Sequence, residues 1–258
     1  MRVLILGDLH GVWGHLNDLL NREQPDLVLQ VGDFGYCPRE RVEMRDQPGS
    51  ASRAVNLYDP QGRIANRMGE RSIPTHFCEG NHDCFQSLRE LRKSGIVAVA
   101  PHVYWQPRGS VLELADGRRV LFMGGAKSCD GYWRIEGTDW WPEEEILHAD
   151  DIEDLPQEVD VVISHTLPEE FMVPAFCGTR VEAEVIRQSK GWDLSPDPSR
   201  KLLSRVLAHC RPKYWFGGHF HRFYQGELQG CRWKALALVP EAGCYAWLPE
   251  ASTKACAR

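Results

Sequence analysis

The sequence predicts an α/β fold, on three observations. Short apolar runs of strand length recur along the chain, and segments with apolar residues at helical spacing separate the early ones. Several runs end in a carboxylate, an amide or a histidine, and α/β sheets carry their ligands beyond the carboxyl ends of the strands. With 258 residues, 43% of them hydrophobic, the chain can bury a large core. We expect one domain over residues 1–258, with insertions at about 34–72 and 166–198.

The first part of the chain is expected to alternate strands with helices. Apolar residues recur at helical spacing at Val12, Leu16, Leu19 and Leu20, which predicts the core face of a first helix. An irregular stretch to about residue 72 follows the second strand. The predicted elements are a strand at 2–7, a helix at 12–23, and then a strand at 27–31, a strand at 74–78 and a helix at 84–93.

The second part of the chain is expected to begin with several strands and then to alternate helices with strands again. The dipeptide Asp116-Gly117 between two apolar runs indicates a hairpin. A helix is expected to begin at Pro142, because proline is favoured in the first turn. The other predicted elements are strands at 96–100, 102–105, 111–114, 119–123, 159–163 and 214–216, a helix at 199–209 and a terminal strand-rich meander.

The predicted strands are followed by side chains that bind metals. Each motif alone is more often an ordinary turn or a capped strand end. Together and in order they predict a two-metal hydrolase, because the carboxyl ends of the strands bring them to one edge. The motifs are Asp8-Leu9-His10, Gly32-Asp33, Gly80-Asn81-His82-Asp83, His165 and Gly218-His219-Phe220-His221.

Asp33 is the candidate bridge between the two ions. Ions about 3.5–4 Å apart need a shared anionic ligand, and a carboxylate can bridge them whereas a histidine cannot. Asp8, His10 and one histidine of the last motif, His219 or His221, would complete the ligands of one ion. Asn81, His165 and the other of these two histidines would complete the ligands of its neighbour. The oxygen and nitrogen donors, without cysteine, favour two divalent ions such as Mn²⁺, with Fe, Zn or Ni as alternatives, over Ca or Mg.

This series of motifs, from residue 8 to residue 221, resembles the calcineurin-like metallophosphoesterase superfamily. The resemblance implies a four-layer αββα sandwich, with two central mixed β-sheets flanked by helices. It also implies hydrolysis of phosphate esters by attack of a metal-bridging hydroxide, with His82 as proton donor to the leaving group. It assigns one ion to Asp8, His10, Asp33 and His221 and the other to Asp33, Asn81, His165 and His219.

Asp83 and several cations are further candidates for the site. We expect Asp83 either to orient the imidazole of His82 or to cap the following helix. In the Ser/Thr protein phosphatases that share these motifs, an Asp-Arg pair follows the Gly-Asp turn, and its arginine holds the phosphate. Here that turn is followed by Phe34, Gly35, Tyr36 and Cys37.

Lys127 or Arg134 could supply the cation that is missing after Asp33, and the alternative is that they belong to a structural loop. Arg39 lies in an arginine-rich stretch that either recruits a phosphate or is a solvated loop. Trp140 and Trp141 either stack on the substrate or pack into the core.

Charge narrows the choice of substrate. The formal net charge of −6 argues against a protein that holds nucleic acid mainly by a basic surface, although a nucleotide substrate stays open. Residues 143–160 contain nine acids and no Lys or Arg, which indicates a solvated surface. The leading hypothesis is a hydrolase of phosphomonoesters, whether small phosphorylated molecules, nucleotides or phosphoproteins. The alternative is a phosphodiesterase or nuclease, acting on cyclic nucleotides or nucleic acid; a non-catalytic scaffold is disfavoured, because every ligand position is filled.

The nine cysteines include no Cys-x-x-Cys pair, which indicates reduced thiols. Met1 leads directly into a predicted strand, and no apolar run approaches the ~20 residues that a membrane span needs. We therefore expect a cytoplasmic protein with no membrane partner, and the oligomeric state stays open.

Overall fold

The computed structural model describes residues 1–37, 67–68, 71–95, 97–174, 187–188 and 191–251. Strands dominate these ranges. In chain order they are β1 (Val3–Leu6), β2 (Leu27–Gln30), β3 (Arg67–Met68), β4 (Arg71–Ser72), β5 (Thr75–Phe77), β6 (Ala98–Ala100), β7 (Val103–Trp105), β8 (Val111–Glu113), β9 (Arg119–Met123), β10 (Val161–Ser164), β11 (Tyr214–Gly217), β12 (Tyr224–Leu228), β13 (Cys231–Ala235) and β14 (Tyr245–Trp247).

The helices of the described ranges are fewer. They are α1 (Trp13–Glu23), α2 (Phe85–Ser94), α3 (Pro142–Glu145) and α4 (Pro198–Cys210), with single 3₁₀ turns at Gly131–Trp133 and Ala149–Ile152. The helix expected from Pro142 is only one turn long. The guanidinium of Arg108 donates to the carbonyl oxygens of Glu144, Glu145 and Ile146. The helix ends there because these carbonyls no longer need the backbone N–H groups of a further helical turn.

The predicted four-layer sandwich is confirmed. The two large sheets have the strand orders β14-β1-β2-β5-β7-β6 and β12-β13-β11-β10-β9-β8. Alternate residues of β1 serve the two faces of the first sheet: Val3 and Ile5 belong to the core between the sheets, and Leu4 and Leu6 to the core beneath α1 and α2. A third core lies between the second sheet and α4.

The central strands are parallel in both sheets. β1, β2 and β5 pair in parallel in the first sheet, and β9, β10, β11 and β13 do so in the second. The terminal strands do not form the expected meander. β12 and β13 form a hairpin in the second sheet, whereas β14 crosses to the first and pairs antiparallel with β1. The crossing buries Ala246 and Leu248 between the sheets.

The first expected insertion lies mainly outside the described residues, and Arg39 is among those outside. Part of the second packs into the third core, because the ring of Phe171 stacks on Trp233 with centroids 4.9 Å apart. In the part of the chain that the structure describes, we find no helix with the length and apolar character that crossing a membrane requires.

Candidate metal centre

The carboxyl ends of five strands bring the predicted ligand side chains together between the sheets. Asp8 and His10 follow β1, Asp33 follows β2 and Asn81 follows β5 in the first sheet. In the second sheet His165 follows β10, and His219 and His221 follow β11. Parallel pairing aligns the ends of these strands at one edge, which explains why distant parts of the chain meet there.

The carboxylates of Asp33 and Asp8 face histidine nitrogens. Asp33 Oδ2 lies 3.4 Å from His10 Nε2 and also 3.4 Å from His165 Nε2, so this oxygen is placed between two groups of donors. Asp8 Oδ2 lies 3.3 Å from His221 Nε2. Asp8, His10, Asp33 and His221 each offer one ligand atom, and these four atoms lie within 4.8 Å of one another.

A second group of donors surrounds Asn81. Its Oδ1 lies 2.9 Å from His165 Nε2 and 3.1 Å from His219 Nδ1. The other ring nitrogen of His165 lies 3.0 Å from the carbonyl oxygen of Val31, to which it donates. That hydrogen bond directs Nε2 of His165 towards Asn81 and Asp33.

The backbone around these residues is unusual. His10, Asp33, His219 and His221 have φ values of 47°, 51°, 70° and 54°, in the left-handed region that side chains with a Cβ rarely adopt. Such conformations persist where the surroundings over-determine them, as in ligand sites. Two turns are held by carboxylates: Asp8 Oδ2 accepts from the His219 N–H at 2.8 Å, and Asp33 Oδ1 from the His82 N–H at 2.8 Å.

The residues present fit divalent cations. Asp8 Oδ1 is buried and has no hydrogen-bond partner among the described residues, and a buried anionic oxygen is costly unless a cation offsets it. Gly218 leaves this oxygen accessible, because a Cβ there would lie 1.9 Å from it. The donors are carboxylate and amide oxygens together with imidazole nitrogens, a set that suits divalent transition metals.

The acids and histidines of this cluster shift one another's pKa values. Burial lowers the pKa of His165, but the carboxylates of Asp33 and Asp8 outweigh it and raise that pKa to about 10. Burial opposes ionisation of Asp33, but the facing histidines, His165 first, hold its pKa well below the usual range. Burial and the charge of His165 lower the pKa of His219 to about 4. The cation-free centre therefore keeps a proton on His165 at neutral pH.

Cation binding is expected to release that proton. A histidine must be neutral at the ligating nitrogen, and the pKa of His165 is about 10, so the apparent affinity for Mn²⁺ should rise with pH by about tenfold per unit for each proton released. Calorimetric titration in buffers of different ionisation enthalpy measures the number of protons directly. Binding without proton release at pH 7 would contradict a protonated His165.

His82 lies beside the ligand cluster and faces a carboxylate that the sequence analysis did not single out. Its Nε2 is 4.0 Å from Asp130 Oδ2, and its ring meets that of His10 edge-on with centroids 5.0 Å apart. Burial holds the pKa of His82 well below its usual value, and the charges of Asp33 and, more weakly, of Asp130 act in the opposite direction. Asp33 and Asp130 are thus the carboxylates whose charges favour a protonated imidazole, although burial outweighs them.

Asp83 has a different set of contacts from either role expected for it. Its Oδ1 accepts from the N–H groups of Gly35 at 2.9 Å and Tyr36 at 2.7 Å, and its Oδ2 from that of Gly80 at 2.8 Å. The N-cap position of α2 belongs to Cys84, not to Asp83. The carboxylate therefore ties the loop after β2 to the turn after β5, which is a structural function.

The two expected phosphate-binding cations of the described chain are engaged within the protein. The side chain of Arg134 is 4% exposed; Nη2 donates to the carbonyl oxygens of Asn81, at 2.9 Å, and of Asp139. Lys127 Nζ lies 2.5 Å from Asp193 Oδ2 and also contacts the Ser195 hydroxyl. Arg134 therefore supports the Gly80–Asp83 turn, and Lys127 is neutralised by Asp193.

The tryptophan pair divides between the core and a pocket. Trp141 is buried against Phe85, with ring centroids 6.1 Å apart, so core packing rather than substrate stacking explains it. Trp140 lines a cavity of about 380 Å³ together with Tyr132 and Lys127. The ring of Trp140 also explains why residue 131 is a glycine, because a Cβ at that position would lie 2.5 Å from the ring.

Two polar residues near Asn81 escaped the sequence analysis. The hydroxyl of Ser128 lies 3.0 Å from Asn81 Nδ2, and Glu145, only 1% exposed, contacts Ser128 in turn. A lone serine in a loop carries no signal in the sequence. Glu145 belongs to the acidic run expected to be solvated, and that expectation is wrong for this residue.

Comparison with known proteins identifies relatives. The model of the calcineurin-like phosphoesterase family matches residues 1–223. The lariat debranching enzymes of Gallus gallus and Homo sapiens are 26% and 27% identical to the chain, and 89% of the chain is aligned in each case. The chain spans only 44% and 43% of their lengths. A solved crystal structure has a TM-score of 0.52 at 14% identity, covering 96% of this chain and 94% of the other; this likeness concerns the fold alone.

Proposed function

The chain belongs to the calcineurin-like phosphoesterase family, and we propose that it hydrolyses phosphodiesters at a centre of two divalent cations. Membership of this family makes it a metal-dependent phosphoric ester hydrolase. The proposal goes further in three respects, which are the ligands of the cations, the proton donor and the class of ester.

For the cations, the proposed ligands are the residues that face one another in the cluster. When bound, the cations would lower the pKa of water and offset charge on the phosphoryl oxygens. Mn²⁺ is the expected ion. The shared position of Asp33 Oδ2, 3.4 Å from His10 and from His165, supports its role as the bridge. The first cation is assigned to Asp8, His10, Asp33 and His221, and the second to Asp33, Asn81, His165 and His219.

For the proton, His82 is the proposed donor to the departing oxygen. It adjoins Asn81 in the chain and its ring lies beside that of His10, so the imidazole borders both proposed cation sites. Asp130, 4.0 Å away, favours the charged form of the imidazole that a donor requires. Asp83 takes no part in this step, because its oxygens hold backbone N–H groups.

The choice of a diester rests on one observation: Arg134 and Lys127 are bound to other groups of the protein. A phosphomonoester has about −1.5 to −2 charges at neutral pH, whereas a diester has a single charge and needs less neutralisation. Arg134 is bound to Asn81 and Asp139, and Lys127 to Asp193, so the two cations expected to serve a monoester are occupied.

Two further features support a diester. The relatives are named lariat debranching enzymes, and debranching implies a phosphate that joins two groups. Tyr132 and Trp133 are 75% and 56% exposed in the segment that carries Asp130 and Arg134, where nucleobases could stack on their rings. Because the chain has a net charge of −6, such a substrate would be held by stacking and by the cations more than by a basic surface. Phosphomonoester hydrolysis, the hypothesis from the sequence, is the alternative.

The test compares nitrophenol release from bis-nitrophenyl and mono-nitrophenyl phosphate by the protein reloaded with Mn²⁺. We expect the higher kcat/KM for the diester. A strong preference for the monoester would reject the proposed substrate class and favour a phosphatase. Failure to hydrolyse either ester would count against the proposed centre itself.

A further inference from the structure

We propose that Ser128 is a positioning residue that determines which end of the Asn81 amide faces the metal centre. The proposal rests on the assignment of Asn81 to the second cation. Ser128 lies in the loop after β9, in the second sheet, whereas Asn81 follows β5 in the first. The contact between them therefore links the two halves of the sandwich beside the candidate centre.

The hydroxyl of Ser128 has three hydrogen-bond partners in the part of the chain that the structure describes. Its Oγ lies 3.0 Å from Asn81 Nδ2, 2.6 Å from Arg134 Nη1 and 2.8 Å from Glu145 Oε2. A hydroxyl offers one proton and two lone pairs, so three partners use its whole capacity. Ser128 is 3% exposed, which leaves little room for water to take the place of a partner.

The charges of two partners decide the direction of each bond. Arg134 can only donate, so it occupies one lone pair of the hydroxyl oxygen. Glu145 accepts: its Oε1 receives the Ser128 N–H at 2.7 Å and the Trp140 indole N–H at 3.2 Å, and its Oε2 receives the hydroxyl proton. The lone pair that remains needs a donor.

Among the described residues, the nitrogen of the Asn81 amide supplies that donor. Its Oδ1 is then directed away from Ser128 and towards His165 and His219, at 2.9 and 3.1 Å. In the flipped amide, an oxygen would meet a hydroxyl whose proton is already used, and N–H groups would face the place of a cation. The network thus selects the orientation in which an oxygen is available as a ligand.

The same residues also hold the backbone of Asn81. Arg134 Nη2 donates to its carbonyl oxygen at 2.9 Å, while Nη1 of the same guanidinium donates to Ser128. Glu145 completes the arrangement, since its Oε2 lies 4.0 Å from Arg134 Nη1. Side chain and backbone of Asn81 are therefore both anchored to one buried network, as outer-sphere groups commonly anchor metal ligands.

Ser128→Ala tests the proposal. We expect the affinity for one of two Mn²⁺ ions to fall by about 10- to 100-fold while the other ion binds as before, because only the Asn81 ligand loses its outer partner. Calorimetric titration of the metal-stripped protein with Mn²⁺ measures both affinities without reference to activity. Unchanged affinities for both ions would overturn the proposal.

Two reference variants separate the possible failures. Asn81→Ala should weaken the same ion; if it weakens neither, the assignment of Asn81 to a cation fails, and the proposed function must be revised. If Asn81→Ala weakens one ion and Ser128→Ala weakens none, only the positioning proposal fails. Ser87→Ala is the matched control, because Ser87 is also buried and its hydroxyl contacts the sulfur of Cys84 at 3.3 Å; both affinities should stay as in the parent.

Glu145→Gln provides a second, nearly isosteric variant if Ser128→Ala does not fold. The new amide N–H groups compete with Asn81 for the lone pair of Ser128, so the affinity for the same ion should fall. Retention of both affinities in a folded Glu145→Gln protein, judged by its thermal unfolding, would overturn the proposal independently.

Discussion

Asp33→Asn is expected to lower kcat/KM by about three orders of magnitude or more and to release at least one of the two proposed cations. Oδ2 of Asp33 faces His10 and His165 at equal distances, so we expect its charge to be the contribution common to both proposed cation sites. A neutral amide lacks the negative charge that holds two cations close together, and a metal centre contributes several kcal/mol to transition-state stabilisation. Oδ1 accepts the His82 N–H, a role that the asparagine oxygen can keep.

The measurement is the metal content of the purified, Mn²⁺-loaded variant by mass spectrometry, alongside its turnover of the preferred nitrophenyl ester. Asp18→Asn serves as the matched control, because Asp18 is exposed on α1 and the same change there should leave metal content and turnover as in the parent. An Asp33→Asn protein with a full complement of two ions would refute the bridging role.

His82→Ala should lower turnover by ~10²–10⁴ for an ester with a poor leaving group, such as an alkoxide, and much less for a nitrophenyl ester. An alkoxide needs a proton as it departs, whereas nitrophenolate is stable without one. The position of His82 beside the ring of His10, with Asp130 at 4.0 Å, supports this role. The measurement is the ratio of turnover by parent and variant for the two leaving groups.

Asp130→Asn should show the same dependence on the leaving group to a smaller degree, because it removes one of the two charges that favour the protonated imidazole. His209→Ala is the matched control, since His209 is exposed on α4 and both substrates should be turned over normally. Equal losses for the two leaving groups in His82→Ala would exclude a role in proton donation.

The secondary structure and the ligand motifs could be predicted because they depend on neighbouring residues. The strand at 119–123 was predicted with the bounds it has, and the helices at 12–23 and 84–93 begin and end within one residue of α1 and α2. Apolar spacing reports which face of an element is buried, whatever the rest of the chain does. The bound guanidinium of Arg108, which ends α3 after one turn, has no such local signal.

The candidate site was only partly predictable, because partners across the fold decide what a side chain does. Asp83 bonds to Gly35 and Tyr36, 48 and 47 residues away, and not to the adjacent imidazole. Arg134 binds the carbonyl of Asn81, 53 residues away, which takes it from the expected phosphate contact. Glu145 is buried although its neighbours in the acidic run suggest a solvated surface.

The sequence alone determined the type of fold, the positions of most strands along the chain and the residues that gather at their carboxyl ends. It could do so because apolar periodicity and residue chemistry are properties of short segments. The tertiary structure alone decided which carboxylate faces His82, which cations are occupied and how Ser128 and Glu145 hold Asn81. The reason is that a hydrogen bond depends on the position and direction of both its partners, and folding brings those partners together from distant parts of the chain.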